Sequence, residues 1–382
     1  MKDSARVVIV GGGIMGLSIA YNLARYHHLT DLVVLEQSYL CSGASGRNGG
    51  GIRAQWSSGV NIELMRESIQ ICKSFAREMG FNVWFHQGGY LFLARTEAIR
   101  AQLEHNVRVQ NDHGLRTRML SPAEASAIVP ELDASSLVAA SYNPDDAVVF
   151  PWPFVWGYAD AAARLGVDIN TFTRVIGFDT SGDRITGVVT DRGRIRTELV
   201  VNATGAWSPS LAALLDVQLP NHPHRHEICA SESLKVFLRP LVSDLSDGLY
   251  FSQSMRGEIV GGISNQAVQP GLDMSSSPEF LGLYSRSLLR ACPVLGSARI
   301  VRQWAGCYDI TPDQNPIVGP VDQVQGFYQV CGFMGHGFMM APVMGRRIAA
   351  HLAGEQPDPV IDRWNLRRFR EGTLLSEGMI IG

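Results

Sequence analysis

Six residues near the start, Gly11-Gly12-Gly13-Ile14-Met15-Gly16, restrict this chain more than any other stretch. They follow a short apolar, β-branched run, Arg6–Val10, which reads as a buried strand. They open a segment with Ile14, Leu17, Tyr21 and Ala24 on one helical stripe, ending near Tyr26. A second buried-strand pattern, Leu32–Leu35, ends in Glu36. Strand, glycine turn, helix, strand and acid thus follow one another within about 30 residues, the length of a Rossmann unit. In such a unit Gly11 permits the tight turn, Gly13 lets backbone approach a pyrophosphate, and Gly16 lets helix and strand close up. The start of the helix, Ile14 and Met15 included, offers free N–H groups and partial positive charge to phosphate. Glu36, twenty residues after Gly16, is placed to accept hydrogen bonds from a ribose, with Gln37 beside it. The pattern predicts a bound dinucleotide and does not say which one.

The chain has 382 residues, enough for a sizeable core in one large or two interleaved domains. A formal net charge of −3 gives no reason to expect nucleic acid or an anionic membrane as partner. The six cysteines form no C-x-x-C pair and no zinc spacing, so they read as reduced thiols, and no metal site is expected. No apolar run approaches the roughly 20 residues of a spanning helix. The chain is read as cytoplasmic, with peripheral attachment to the inner membrane face as the remaining membrane role.

Further along, Asn61–Met79 is an amphipathic helix, Gly89–Ala94 and Ser136–Ser141 are strands, and Pro151–Leu165 is helical. Leu199–Ala203 is a short buried strand, Glu227–Ile263 alternates as antiparallel sheet does, Phe327–Cys331 is a strand and Met339–Leu352 a final helix. The expected class is α/β plus β. A discontinuous Rossmann-type domain (1–85, 145–215 and 320–382) carries an inserted substrate domain (86–144 and 216–319) on a mixed or antiparallel sheet.

Three more segments suit cofactor contact. The loop 41–51 contributes Ser42, Ser45, Gly46, Arg47, Asn48, Gly49, Gly50 and Gly51 at the carboxyl edge of the second strand. Ligands bind there in doubly wound sheets, and small residues let backbone approach a planar ring. Ala203, Thr204, Gly205 and Trp207 follow the strand near residue 200. Phe333, Gly335, His336, Gly337, Phe338 and Met339 run from a strand through a Gly-rich turn into a helix, whose positive end faces an electron-rich acceptor. His336 reads either as a chemical group or as a turn residue bonding backbone.

These segments, in this order, resemble the D-amino-acid oxidase/sarcosine oxidase superfamily of FAD enzymes. The resemblance spans essentially the whole chain and is nearest to β subunits of dye-linked L-proline dehydrogenase and heterotetrameric sarcosine oxidase. It is carried by Gly49–Arg53, Gly89–Leu93, Trp304–Gly306, the run Thr311–Gly319 and the run Gly335–Pro342. Val175 and Gly306 join the cofactor residues on the same ground. The resemblance implies noncovalent FAD and hydride transfer to flavin N5 from the C–N bond of a small amino or imino acid of proline, hydroxyproline, sarcosine or glycine type. It implies Arg53 as the cation for the substrate carboxylate, a role that a bidentate guanidinium suits. It places Tyr250 in the roof of the site, with His226, Arg256 and Tyr90 as weaker candidates.

Three departures matter. Covalent-flavin relatives carry cysteine at the position of Gly306, and Cys307 is offset by one. No histidine lies near Pro151, where the heterotetrameric enzyme attaches FMN. That speaks against covalent FMN and leaves noncovalent FMN at a subunit interface as the alternative. Sarcosine oxidases place flavin-side lysines in the strand region near Val260 and at the position of Met339, and both are absent here. Their loss favours a dehydrogenase that passes electrons to another acceptor or to an electron-accepting α subunit. The rivals are an O₂-using oxidase of glycine, sarcosine or a D-amino acid, and a flavin-binding scaffold without turnover. The alternating histidines of 222–226 read as a strand edge, not a metal site.

Overall fold

The computed structural model describes residues 1–355 and 358–379. Its first layer is a nine-stranded sheet. Five parallel neighbours form the centre, in the order Val324–Cys331, Val200–Asn202, Val7–Val10, Leu32–Leu35 and Asp168–Asn170. Val8 pairs with Val200 on one side and Val33 on the other, so this strand is covered on both edges. Such strands are apolar throughout, which explains VVIV and LVVL. The helices Ile14–Tyr26 and Gly337–Leu352 pack together on this sheet. They meet closely because Gly345 leaves room for Ser18, whose hydroxyl donates to Ala341 O at 3.0 Å.

The second layer is an eight-stranded sheet. Its order is Ile300–Ile310, His222–Ser233, Glu258–Gly262, Leu249–Gln253, Leu241–Asp244, Tyr90–Ala94, Ala139–Asn143 and Arg118–Leu120. All its pairs are antiparallel except Leu241–Asp244 with Tyr90–Ala94. The mixed sheet expected from the alternation at 227–263 is therefore present. A two-stranded piece, Gly51–Ile52 with Ala147–Val148, lies outside both sheets.

The expected helices occur as Gly59–Met79, Pro151–Arg164 and Gly337–Leu352, with ends shifted by one or two residues. The strand expected at Ser136–Ser141 runs instead over Ala139–Asn143, in register with Tyr90–Ala94. Loop 41–51 contains one short helical turn, Ala44–Gly46, and ends in the strand Gly51–Ile52. The histidines of 222–226 lie on a one-sided stretch, as expected for a strand edge: they pair with Ile300–Ile310, whereas pairing with Glu258–Gly262 begins only at Ile228, and the stretch runs from exposed His222 to buried His226. The strand Ile317–Val321 straddles the expected boundary at 319/320 and pairs with Val324–Cys331 in the first sheet. Residues 356–357 and 380–382 of the expected third cofactor segment lie outside the described residues.

Candidate active site

A cavity of about 380 Å³ lies between the carboxyl ends of the parallel strands and the second sheet. Every residue assigned to cofactor or catalysis from sequence lines it, except Gly16 and Gly46. Gly16 serves packing: a Cβ there would stand 2.1 Å from Gly11 O. Gly46 serves packing too, with Cys41 O at 2.5 Å from its missing Cβ. Gly11 has φ +118° and the Ala203 carbonyl 2.4 Å from where a Cβ would be, so only glycine fits the turn.

At one end Glu36, 9% exposed, accepts from Gly12 N at 2.9 Å, Ser38 N at 2.9 Å and Ser42 Oγ at 3.3 Å. It clamps the glycine turn to the following loop. A carboxylate has about four lone-pair sites, so it keeps capacity toward the cavity. Arg47 is tied across the cavity wall, donating from Nε to Ser42 O and from Nη1 to Ala305 O, both at 3.0 Å. Glycine backbone under the floor, an acid at one end and two helix N-termini fit an elongated dinucleotide.

At the other end stands Arg53, 1% exposed. Its guanidinium lies 4.1 Å from the centroid of the Trp56 ring, donates from Nη1 to Gln55 O and from Nη2 to Met379 O, and faces His336 Nε2 at 3.2 Å. Burial lowers its pKa to about 10, opposed by Tyr90, Glu377 and Asp146, so it remains a cation at neutral pH. His336 is the N-cap of the helix Gly337–Leu352. Burial, then Arg53, holds it well below the ordinary histidine range, so it is a neutral acceptor for the guanidinium. Asp146 supports the segment from behind, accepting from Ala54 N at 2.7 Å and Gln55 Nε2 at 2.9 Å.

The roof comes from the second sheet. His226 Nε2 is 3.1 Å from Tyr250 Oη, and its ring stacks on Tyr308 at 4.7 Å. Gly262 makes this possible: a Cβ there would stand 2.8 Å from Tyr250 Oη and 3.0 Å from His226 Nε2. Burial pushes His226 down to about 4 and Tyr250 well above 10, so both are neutral. Tyr90 also lines the cavity, whereas Arg256 does not; it is exposed and paired with Glu258 at 3.3 Å. Sequence reading missed Asp309, Tyr308 and Ser243 on the walls. Asp309 accepts from Gly332 N at 2.5 Å and is pushed up to about 7 by burial, against the pull of the backbone N–H groups of the 332–334 turn. All six cysteines are free.

Fold and cavity together define a dinucleotide-binding oxidoreductase. The family whose members are described as FAD dependent oxidoreductase matches residues 6–351, and the chain belongs to it. It is an FAD-dependent enzyme. Similar proteins include sarcosine oxidase subunit beta of Rhodobacter capsulatus, 28% identical over 100% of this chain and 92% of that one. Dimethylglycine dehydrogenase of Rattus norvegicus is 26% identical over 97% of this chain and 46% of its own length. Among solved structures, L-proline dehydrogenase from P. horikoshii superposes with a TM-score of 0.92 and 34% identity, covering 98% of this chain and 100% of that one.

Proposed function

We propose that the enzyme oxidises the C–N bond of a small amino or imino acid and passes the electrons to an acceptor other than oxygen. The observation that carries the reading is Arg53: a fully buried cation at the cavity end, next to a histidine held neutral. A buried charge is retained only when paired, and a carboxylate is the pair that planar guanidinium geometry suits. Bound FAD supplies the acceptor for two electrons, held by segments 1–85, 145–215 and 320–382 under a substrate roof from 86–144 and 216–319. In this reading Glu36 holds a ribose, and the glycine turn and the N-terminus of Ile14–Tyr26 hold the pyrophosphate noncovalently. Arg53 fixes the carboxylate. The His226–Tyr250 pair offers lone pairs to the amine without adding charge, and the dry roof disfavours the ammonium form. Neutral amine is the form that can become an imine.

No lysine lines the cavity among the described residues, and the place beside the helix start is Met339. This supports an acceptor other than oxygen, because no ammonium stands ready to stabilise superoxide. Relatives named as β subunits support a partner chain that takes the electrons. No helix among the described residues is long and apolar enough to cross a membrane.

The test is anaerobic addition of L-proline, hydroxyprolines, sarcosine and glycine to the FAD-loaded enzyme. We expect the flavin to bleach, to recover slowly in air and to reduce an added dye quickly. Fast recovery in air would make the enzyme an oxidase. No bleaching by any of these acids would remove the reading.

A further inference from the structure

We infer that Ser243 reads a hydroxyl group on the substrate, so that the preferred substrate is a hydroxylated amino or imino acid. This rests on the amino- or imino-acid reading above. Ser243 lies in the strand Leu241–Asp244, fully buried, and lines the cavity. Its direct cross-strand neighbours are Tyr250 on one side and Phe92 on the other. Opposed residues share a sheet face, so Ser243 stands on the face that carries Tyr250 into the cavity. Its Oγ has no hydrogen-bond partner among the described residues.

Buried hydroxyls are nearly always paired, and an unpaired one at a ligand site marks where a ligand atom belongs. The other polar groups of this end already have uses. Arg53 faces the carboxylate and the His226–Tyr250 pair faces the amine. Ser243 is left for a third polar group on the same small molecule. That group is neutral. The face around Ser243 consists of Tyr90, Phe92, Leu241 and Tyr250, all uncharged. The adjacent Asp244 alternates to the opposite face, where it pairs with Arg95 at 2.5 Å. Arg53, whose guanidinium lies 5.8 Å from the Phe92 ring centroid, is taken by the first carboxylate, so a second carboxylate or an ammonium there would have no counter-ion of its own. A hydroxyl both donates and accepts, as the serine does. A site built to bond a substrate hydroxyl rejects the analogue lacking it far more strongly than an apolar pocket rejects a missing methylene.

The experiment is steady-state kinetics of the FAD-loaded enzyme on matched pairs: proline and 4-hydroxyproline, in each configuration. We expect one 4-hydroxyproline isomer to exceed its parent in kcat/KM by at least about tenfold. Ser243→Ala should abolish that ratio and leave proline within about twofold of wild type. Ser243→Cys, which fills the same space with a weak hydrogen-bonding group, should behave as Ala does. Tetrahydrofuran-2-carboxylate, a ring acid without hydroxyl or amine, reports on the rest of the pocket. Its Kd, read from the flavin spectrum, should not change in either variant. The inference is overturned if wild type shows no preference for the hydroxylated ring, or if Ser243→Ala lowers both substrates alike. Proline turnover without such a preference overturns this inference alone. Absence of turnover on every amino and imino acid overturns the reading beneath it as well.

Discussion

Arg53 Nη2 lies 3.2 Å from His336 Nε2, and neither residue reaches solvent. A cation and a ring nitrogen at this distance coexist only if the ring is neutral and turns its lone pair to the guanidinium. Arg53 therefore has a fixed aim before any substrate arrives. Pre-organised charge binds without reorganisation at the moment of reaction. Arg53→Ala should cost on the order of 3 kcal/mol in transition-state binding, about a hundredfold in kcat/KM, with FAD retained. Arg53→Lys keeps the charge but loses the planar fork, so its loss should be smaller. Steady-state kinetics on flavin-replete variants decides. Near-wild-type kcat/KM for Arg53→Ala would assign the carboxylate to another cation.

Stability should depend on pH through two sets of buried residues that act in opposite directions between about pH 4 and pH 7. His226 and His336 are held below the ordinary histidine range by burial. The folded state thus binds fewer protons than the unfolded one, and their contribution, complete above about pH 6.5, is lost as pH falls. Asp146 and Asp309 are raised by burial to about 7. Their contribution is complete below the unfolded carboxyl value and is lost as pH rises through 7. Asp309→Asn removes one of these groups while leaving an acceptor for Gly332 N–H. We expect its Tm to decline less than wild type's, or to rise more, between about pH 4 and pH 7. Parallel Tm curves across that range would mean that Asp309 makes no such contribution.

Gly16 lets helix and strand close up, as its place in the glycine turn predicts, and Gly46, expected at the cofactor, serves packing as well. A Cβ at Gly16 would meet backbone, not a flexible side chain. Gly16→Ala should therefore distort the Gly11 turn and cost several kcal/mol, on the order expected for overpacking a rigid contact. The variant should lose both Tm and FAD affinity, measured by thermal unfolding and by flavin retention on gel filtration. Gly205→Ala tests a different kind of constraint. It has open space within 4 Å but φ +56°, so its cost is backbone strain alone, about 1 kcal/mol. Equal losses at the two positions would contradict this ranking.

What the sequence made legible is local. The strand, turn and helix at residues 7–26 follow from glycine spacing and apolar periodicity, both of which act over a few residues. The wall residues Ser243, Asp309 and Tyr308 were illegible because register places them. Ser243 faces the cavity only because its strand pairs with Tyr90–Ala94 about 150 positions earlier in the chain. The partners of Arg53 were hidden for the same reason. Met379 lies 326 residues away and contributes a carbonyl, a group every residue carries.

The last described residues strap that arginine down, and Glu377 is the buckle. Its carboxylate accepts from Ser57 N at 2.8 Å, Ser57 Oγ, Ser58 Oγ at 2.9 Å, Asn61 Nδ2 at 2.9 Å and Met379 N at 3.0 Å. Ser58, the N-cap of Gly59–Met79, makes no side-chain cap of its own, so a carboxylate from the far end of the chain does the capping. Burial raises its pKa, but these hydrogen bonds outweigh burial and leave it lowered. Its contribution is therefore present above the ordinary carboxyl range and is lost as pH falls below it. Glu377→Ala should remove roughly 2 kcal/mol of stability, as expected for charge-assisted bonds at a helix start. It should also free Met379 O from its place against Arg53. KM for the amino or imino acid should rise about fivefold with a smaller change in kcat, the pattern of lost ground-state binding. Glu377→Gln, which keeps the shape without the charge, should fall between wild type and Ala in both Tm and KM. A drop in Tm with KM unchanged would mean that the strap serves the helix alone and that Arg53 holds its aim without it.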